Sequence, residues 1–241
     1  MVDIEDAVVL VTGASSGIGE ATARAAAARG ARLVLAARRE DRVAALADEL
    51  GRAVAVRCDV TDDEQVDALV RAAVDAFGRV DVVVNNAGQG LHASVEETSL
   101  DDLRALLALN LVAPLAVMQA VLPVMRAQGS GTIVNVSSGT TFADAPGTGA
   151  YVASKIALER LTAIAREELR GTGVTVSTII PFATGTEFLA SLRDGRSDAA
   201  AGLAGVELDR PEQVAEAILD LVASGAAQAD LVPVAYGGTR S

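Results

Sequence analysis

Three residues in "VSSGTTFADAPGTGAYVASK" could carry proton chemistry between them: Ser138, Tyr151 and Lys155. Tyr151 and Lys155 are four apart, so on a helix they share one face. A phenol can protonate a developing alkoxide near neutral pH only if its pKa falls from roughly 10, by about 3 units or on the order of 4 kcal/mol. A lysine ammonium one turn away favours the tyrosinate and supplies part of that shift. A serine hydroxyl at a strand end can hold the oxygen that is being protonated. A Tyr and a Lys at this spacing also occur as an ordinary surface pair, so the assignment depends on what surrounds them.

A second group of residues suits a phosphate. "TGASSGIG", Thr12 to Gly19, follows a strand pattern and opens a helix pattern. Gly13 allows a tight turn, and Gly17 and Gly19 let backbone approach a pyrophosphate and let helix and strand pack closely. Ser15, Ser16 and Ile18 fill the loop between them, and the helix N-terminus adds free N–H groups and a positive dipole end. The spacing is Gly-x-x-x-Gly-x-Gly, one residue longer than the usual dinucleotide fingerprint. The next strand ends "LVLAARRE". An NAD site would place an acid there to hold the ribose hydroxyls. This chain has Ala37, then Arg38 and Arg39, whose planar forks suit a 2′-phosphate. The pattern therefore favours NADP(H), with two solvated arginines as the alternative. Asp59 and Val60, after the third strand, fall where an adenine would lie. "NNAG" ends the fourth strand and sets Asn86, Ala87 and Gly88 along the adenine ribose.

The elements that must position these groups alternate regularly. β-Branched runs ("AVVLVTG", "ARLVLAA", "RAVAVRCDV", "VDVVVNNAG", "GTIVNVSS", "GVTVSTIIP", "ADLVPVAY") are separated by Ala-rich amphipathic stretches. The helix patterns span 17–29, 40–50, 62–77, 100–128, 150–170 and 211–223. Seven strands and six helices imply βαβ units and a parallel sheet covered on both faces. The expected fold is α/β, a single domain over residues 1–241, with ligands at the carboxyl ends of the strands. Pro233 suggests that the last strand is an edge. Residues 189–209 have the length and glycine content of a substrate lid.

Composition narrows the function classes. Of 241 residues, 51% are apolar, enough for a real core. The formal net charge of −12 disfavours nucleic acid and anionic membranes as partners. No apolar run is read as reaching transmembrane length, and no secretory signal is visible at the start, so a cytoplasmic location is expected. The single cysteine, Cys58, allows no internal disulfide, and the single histidine, His92, argues against a His-based metal site.

Taken together, Thr12-Gly-x-x-x-Gly-x-Gly19, Asn85-Asn-Ala-Gly88, Asn110, Ser138 and Tyr151-x-x-x-Lys155 resemble the short-chain dehydrogenase/reductase family, from about residue 6 to about 190. The resemblance implies a Rossmann-like three-layer sandwich with a doubly wound sheet. It implies a catalytic tetrad in which Tyr151 is the general acid/base and Lys155 lowers its pKa and binds the nicotinamide ribose. Ser138 would orient the carbonyl, and Asn110 would hold a water in a proton relay behind Lys155. It implies an NADP(H) preference through Arg38 above all, with Arg39 flanking, and a homo-oligomer, a tetramer rather than a dimer. The reaction expected is hydride transfer to or from a neutral, mainly apolar carbonyl or secondary alcohol, without a metal. An NAD(H)-dependent member is the alternative enzyme, and a non-catalytic nucleotide sensor on the same fold is the alternative from another class.

Two regions depart from the family pattern. After the sixth strand the usual Pro-Gly is Pro181-Phe182, followed by Ala183, Thr184 and Thr186 as expected contacts for the nicotinamide carboxamide or the phosphates. The Phe182 ring could pack in the core or project towards the substrate. The C-terminal "DLVPVAYGGTRS" is only loosely similar. Pocket candidates are Leu91, His92, Ser138, Thr140, Phe142, Phe182 and Phe188, with His92 either bonded to substrate or facing solvent.

Overall fold

A computed structural model describes residues 2–195, 199 and 205–240. Seven strands form one parallel sheet: β1 (Val8–Thr12), β2 (Arg32–Ala37), β3 (Ala53–Arg57), β4 (Val82–Asn85), β5 (Gly131–Val136), β6 (Val174–Ile180) and β7 (Gln228–Asp230), in the order β3-β2-β1-β4-β5-β6-β7. The helices are α1 (Gly17–Ala28), α2 (Glu40–Leu50), α3 (Asp63–Phe77), α4 (Leu100–Leu107), α5 (Ala113–Gln128), α6 (Gly149–Glu168) and α7 (Pro211–Ser224).

Alternation along the strands sorts side chains to two faces. Val9, Val11, Leu33, Leu35, Val82 and Val84 pack against α1, α2 and α7. Val8, Leu10, Val34, Ala36, Val83 and Ile133 pack against α3 and α5. Both faces are covered, which is why these strands read as continuously apolar rather than alternating. The chain winds outward from β1 to β3 and then crosses back to β4 on the other side of β1. A crevice opens at that reversal, at the carboxyl ends of β1 and β4. The glycine-rich loop and Asn86–Gly88 are the segments that leave those two strand ends.

The stretch Leu100–Gln128 is mostly helix, as expected, and residues Ala108–Val112 form a wider π turn between α4 and α5. Asn110 sits in that turn, fully buried, and the extra residue per turn aims its carboxamide inward. By length and composition this 29-residue stretch, with a most apolar window of mean hydropathy 2.1, is also long and apolar enough to cross a membrane, contrary to the sequence reading. Here Ala113, Val117, Met118, Val121 and Met125 place one side of it in the core beneath the sheet. Finally, β7 ends at Asp230, and the expected strand gives way to a 3₁₀ turn at Val234–Tyr236. Pro233 lies beyond the shortened strand and precedes that turn, and β7 is an edge of the sheet, as the proline suggested. Of the expected lid, residues 196–198 and 200–204 lie outside the described residues. Its described flanks are docked: Arg193 N–H donates to Gly90 O at 3.1 Å, and Asp209 N–H to Ala183 O at 2.8 Å.

Candidate active site

The phosphate end is built by backbone and small residues. The Thr12 hydroxyl donates to Val84 O (3.3 Å) and accepts from the Asn86 and Ala87 N–H groups (3.1 Å each), stitching β1 to β4. Asn86 Nδ2 returns bonds to Thr12 O at 2.9 Å and Gly13 O at 3.2 Å. This close approach requires Gly13, whose φ is +66°, because a Cβ there would lie 2.9 Å from Ala87 Cα. Gly19 does not line the crevice. A side chain on it would strike Gly13 O, so its lack of one permits close helix–strand packing. Ser16 stands at the start of α1 without capping it, so the first N–H groups of that helix face the crevice without a side-chain partner.

The two arginines divide. Arg39 bonds to Ser15 Oγ at 2.9–3.0 Å and to Ser16 Oγ at 2.6 Å, and its other arm meets Glu187 at 2.8 Å. Arg42 reaches the same carboxylate at 2.9 Å. These two guanidiniums hold the Glu187 carboxyl below its ordinary pKa. Arg38 lines the crevice and makes no hydrogen bond or ion pair among the described residues. Asp59 turns its carboxylate back onto the Thr61 N–H and hydroxyl, at 3.0 and 2.7 Å.

The chemical end is buried. Lys155 is 5% exposed, and its ammonium donates to Val136 O at 2.9 Å. Burial pulls its pKa down from 10.5 to about 8, while the Glu159 carboxylate pulls the other way. Tyr151 is 9% exposed, and burial raises its pKa from 10.0 to about 12, opposed by the adjacent Ser138 hydroxyl. Its ring packs on Phe188 at 5.7 Å between centroids. Ser138 Oγ accepts from the Thr140 N–H at 3.3 Å and the Thr140 hydroxyl at 3.0 Å. Thr140 thereby fills its acceptor side and leaves the Ser138 O–H able to donate. Asn110 is committed to protein: Nδ2 donates to Gln89 O (2.9 Å) and Ser154 Oγ (3.1 Å), and Oδ1 accepts from Gln89 N–H (3.0 Å). Its carboxamide braces the loop after β4. Gly88 lies between it and Lys155, where a Cβ would come within 3.3 Å of Asn110 Oδ1 and 3.5 Å of Lys155 Nζ.

One cavity of about 1140 Å³ joins the two ends. Gly13, Ser15, Ser16, Gly17, Ile18, Arg38, Arg39, Asp59, Val60, Asn86, Ala87 and Gly88 line it on one side. Ser138, Tyr151, Lys155, Pro181, Ala183, Thr184 and Thr186 line it on the other, and Leu91, His92, Thr140, Phe182 and Phe188 line it as well. Phe142, 37% exposed and beside Gly237, is not among the lining residues. Phe182 lines the cavity, and its half-buried ring packs at a tilt on Tyr236 at 4.8 Å between centroids, with the Arg240 guanidinium 5.8 Å from its own centroid. Arg240 is tied to Asp209 at 2.7 Å. Phe182 and Tyr236 thus make an aromatic wall contributed by two distant segments. His92 does not stand free in solvent. It is half-buried in a slot between Gly147 and Gly195, and a Cβ on either would run into it. Tyr236, Ser137 and Glu159 were missed by the sequence reading. Tyr236 alone carried a signal, as one of only two tyrosines in the chain.

The crevice fits a dinucleotide on structural grounds: glycines where side chains would intrude, an open helix N-terminus and an arginine, Arg38, without a partner among the described residues. A sequence model of the family described as short chain dehydrogenase matches residues 7–197. An uncharacterized oxidoreductase of Staphylococcus epidermidis is 37% identical over 182 residues, covering 75% of this chain and 79% of that protein. A crystal structure of a short chain dehydrogenase/reductase from Burkholderia phymatum in complex with NAD superposes with a TM-score of 0.91 at 28% identity, covering 98% of this chain and 92% of that one. The closed form of a serine dehydrogenase complexed with NADP+ gives 0.87 at 27% identity, with 95% of each chain covered. With its reversal-point crevice, its glycine-rich loop and these matches, the chain belongs to the short-chain dehydrogenase family of oxidoreductases.

Proposed function

We propose that the protein is an NADP(H)-dependent oxidoreductase acting on a neutral, mainly apolar carbonyl or secondary alcohol, with Tyr151 as its proton donor and acceptor. The observation that carries this reading is the single cavity lined by the glycine-rich loop at one end and by Ser138, Tyr151 and Lys155 at the other. When bound, the reduced nicotinamide supplies a hydride to the carbonyl carbon. The chain's own part is the proton and its placement. Ser138 O–H donates to the carbonyl oxygen, and Tyr151 O–H protonates it as charge develops. Burial alone leaves the phenol far too weak an acid, at about 12, so the Lys155 ammonium must offset that burial at the moment of transfer. Lys155 keeps two donors beyond its bond to Val136 O, enough for ribose hydroxyls.

The preference for NADP(H) rests on Ala37, where an acid would otherwise hold the ribose, and on Arg38, which makes no hydrogen bond or ion pair among the described residues. NAD(H) is the second reading. It is favoured by the engagement of Arg39 with Ser15, Ser16 and Glu187, which leaves one arginine rather than two for a phosphate. The substrate class follows from the apolar part of the cavity lining, to which Leu91, Phe182, Phe188, Leu189, Leu192 and Tyr236 contribute. Val112, Ile156 and Ile164 stay exposed on the π turn and α6, as a self-associating tetramer would require, and light scattering tests that state.

The test is a coenzyme-oxidation screen with NADPH and NADH over ketones, aldehydes and diketones, with secondary alcohols in reverse. Turnover with NADPH above NADH is expected. A higher kcat/KM with NADH would replace the cofactor assignment. Tight NADPH binding with no turnover on any substrate would make the protein a nucleotide sensor instead.

A further inference from the structure

Helix α6 presents Tyr151, Lys155 and Glu159 at successive four-residue intervals, so the three share one face. Opposite them stand three consecutive residues from the end of β5 and the turn beyond it. Ser138 lies beside the Tyr151 hydroxyl, and Val136 O takes the Lys155 ammonium at 2.9 Å. The Ser137 hydroxyl donates to Glu159 Oε1 at 2.5 Å. Ser137 is only 4% exposed, so this bond is made in the interior and ties the end of β5 to α6.

The surrounding charges make Glu159 consequential. Lys155 is buried, and Glu159 is the one charged group acting on it among the described residues. Of the elements packed against α6, β5 (GTIVNV), β6 (VTVSTII), the π turn (ALNLV) and the turn Gly139–Phe142 carry no charged residue. Helix α4 carries Asp101, Asp102 and Arg104, with Asp101 paired to Arg104 and Asp102 to Arg193. Arg166, further along α6, is committed to Val176 O at 2.9 Å and Gly225 O at 2.7 Å.

We propose that Glu159 is a positioning residue for the acid/base pair: held by Ser137, its carboxylate keeps Lys155 charged in a buried site and fixes the end of β5 so that Ser138 meets Tyr151. This rests on the reading of Tyr151 as the proton donor. Glu159 touches neither substrate nor cofactor and acts only through Lys155 and Ser137. Lys155, buried with one hydrogen bond, otherwise has every reason to shed its proton. Without that charge the tyrosinate loses its main support from the protein.

The test is a double-mutant cycle on the full chain, with Glu159→Gln and Lys155→Met, read by urea unfolding across pH and therefore independent of any substrate. Glutamine keeps an acceptor for Ser137 and removes only the charge. At pH 7, Glu159→Gln is expected to lower the folding equilibrium constant roughly fivefold more in the wild-type background than in the Lys155→Met background. The excess should vanish as pH rises well above about 8, where Lys155 in the folded protein is neutral. Ser137→Ala, combined with Lys155→Met, should show a smaller excess with the same pH dependence. A coupling near unity at pH 7, or one that does not change with pH, overturns the proposal, since a merely packed glutamate would give that result. A Tyr151→Phe variant that keeps its turnover would instead overturn the parent reading and leave the measured coupling as it stands.

Discussion

The two ends of the cavity are held by different physics. At the phosphate end, glycines and backbone amides shape the surface, and the charged groups are exposed: Arg39, Arg42 and Glu187 side chains are all between 43 and 51% accessible. At the chemical end Tyr151, Lys155 and Asn110 are buried and cross-linked by hydrogen bonds. An exposed ion pair contributes about 0–1 kcal/mol and is screened by salt. A buried ionisable group shifts its pKa by units, and its loss or pairing is felt strongly. The contrast teaches that, on the proposed function, cofactor preference would reside in readily altered surface groups and proton chemistry in groups that the fold cannot exchange without consequence.

The sharpest way to break this contrast is to remove the phenolic proton. Tyr151→Phe keeps the ring on Phe188 and should reduce turnover by about 10²–10⁴-fold while leaving cofactor affinity intact. Stopped-flow reduction alongside a binding titration measures both. A loss of binding equal to the loss of rate would mean that the chemical end is not separable from the phosphate end.

Burial of Lys155 predicts a pH signature in stability. Its folded pKa of about 8 lies below its ordinary 10.5, so the folded protein holds fewer protons than the unfolded chain between those values. Stability therefore rises as pH rises from about 8 to 10.5, and that contribution is lost as pH falls back through 8, by on the order of 3 kcal/mol. Tyr151 acts in the opposite sense. Its folded pKa of about 12 lies above 10.0, so its contribution is present below 10 and is lost as pH rises towards 12. Urea unfolding should show Lys155→Met removing the rise and Tyr151→Phe removing the fall.

A smaller effect is expected from Gly19→Ala. The methyl group would press on Gly13 O and Asn86 Nδ2, so about 1–3 kcal/mol of stability should be lost, seen as a lower Tm. Since Gly19 does not line the cavity, NADPH affinity should fall only as far as the loop is displaced. An unchanged Tm would show that the loop yields freely, weakening the picture of a backbone-built phosphate end.

The mildest changes belong to the exposed charges. Arg38→Ala should weaken NADPH binding about tenfold and leave NADH binding nearly unchanged. Glu187→Gln should shift stability by less than about 1 kcal/mol, more at low salt than at high. Fluorescence titration with both cofactors checks the first, and equal losses for NADPH and NADH would overturn the role of Arg38.

Much of this was legible in one dimension because the elements announce themselves locally. Apolar runs punctuated by glycine place β1 to β6, and the Ala-rich amphipathic stretches place the helices between them. Tyr151 and Lys155 could be paired because helix geometry fixes what lies four residues on. The last strand was overextended because "ADLVPVAY" carries strand-forming residues, while Pro233 and the partner available at the sheet edge end the pairing at Asp230. The break at Asn110 was hidden because a π turn differs from an α-helix by one residue and leaves no periodic mark. Phe182 could not be placed because its partner, Tyr236, lies on a segment that only folding brings near.

The sequence by itself determined the fold class, the glycine loop and the Tyr151–Lys155 pair, since each depends on residues a few positions apart whose geometry is set by the backbone. Only the tertiary structure decided that Glu187 sits on Arg39 and Arg42, that Ser137 holds Glu159 beneath Lys155, and that Phe182 leans on Tyr236. Those contacts join residues from separate segments. Burial, charge compensation and ring packing exist only once the sheet has brought those segments together.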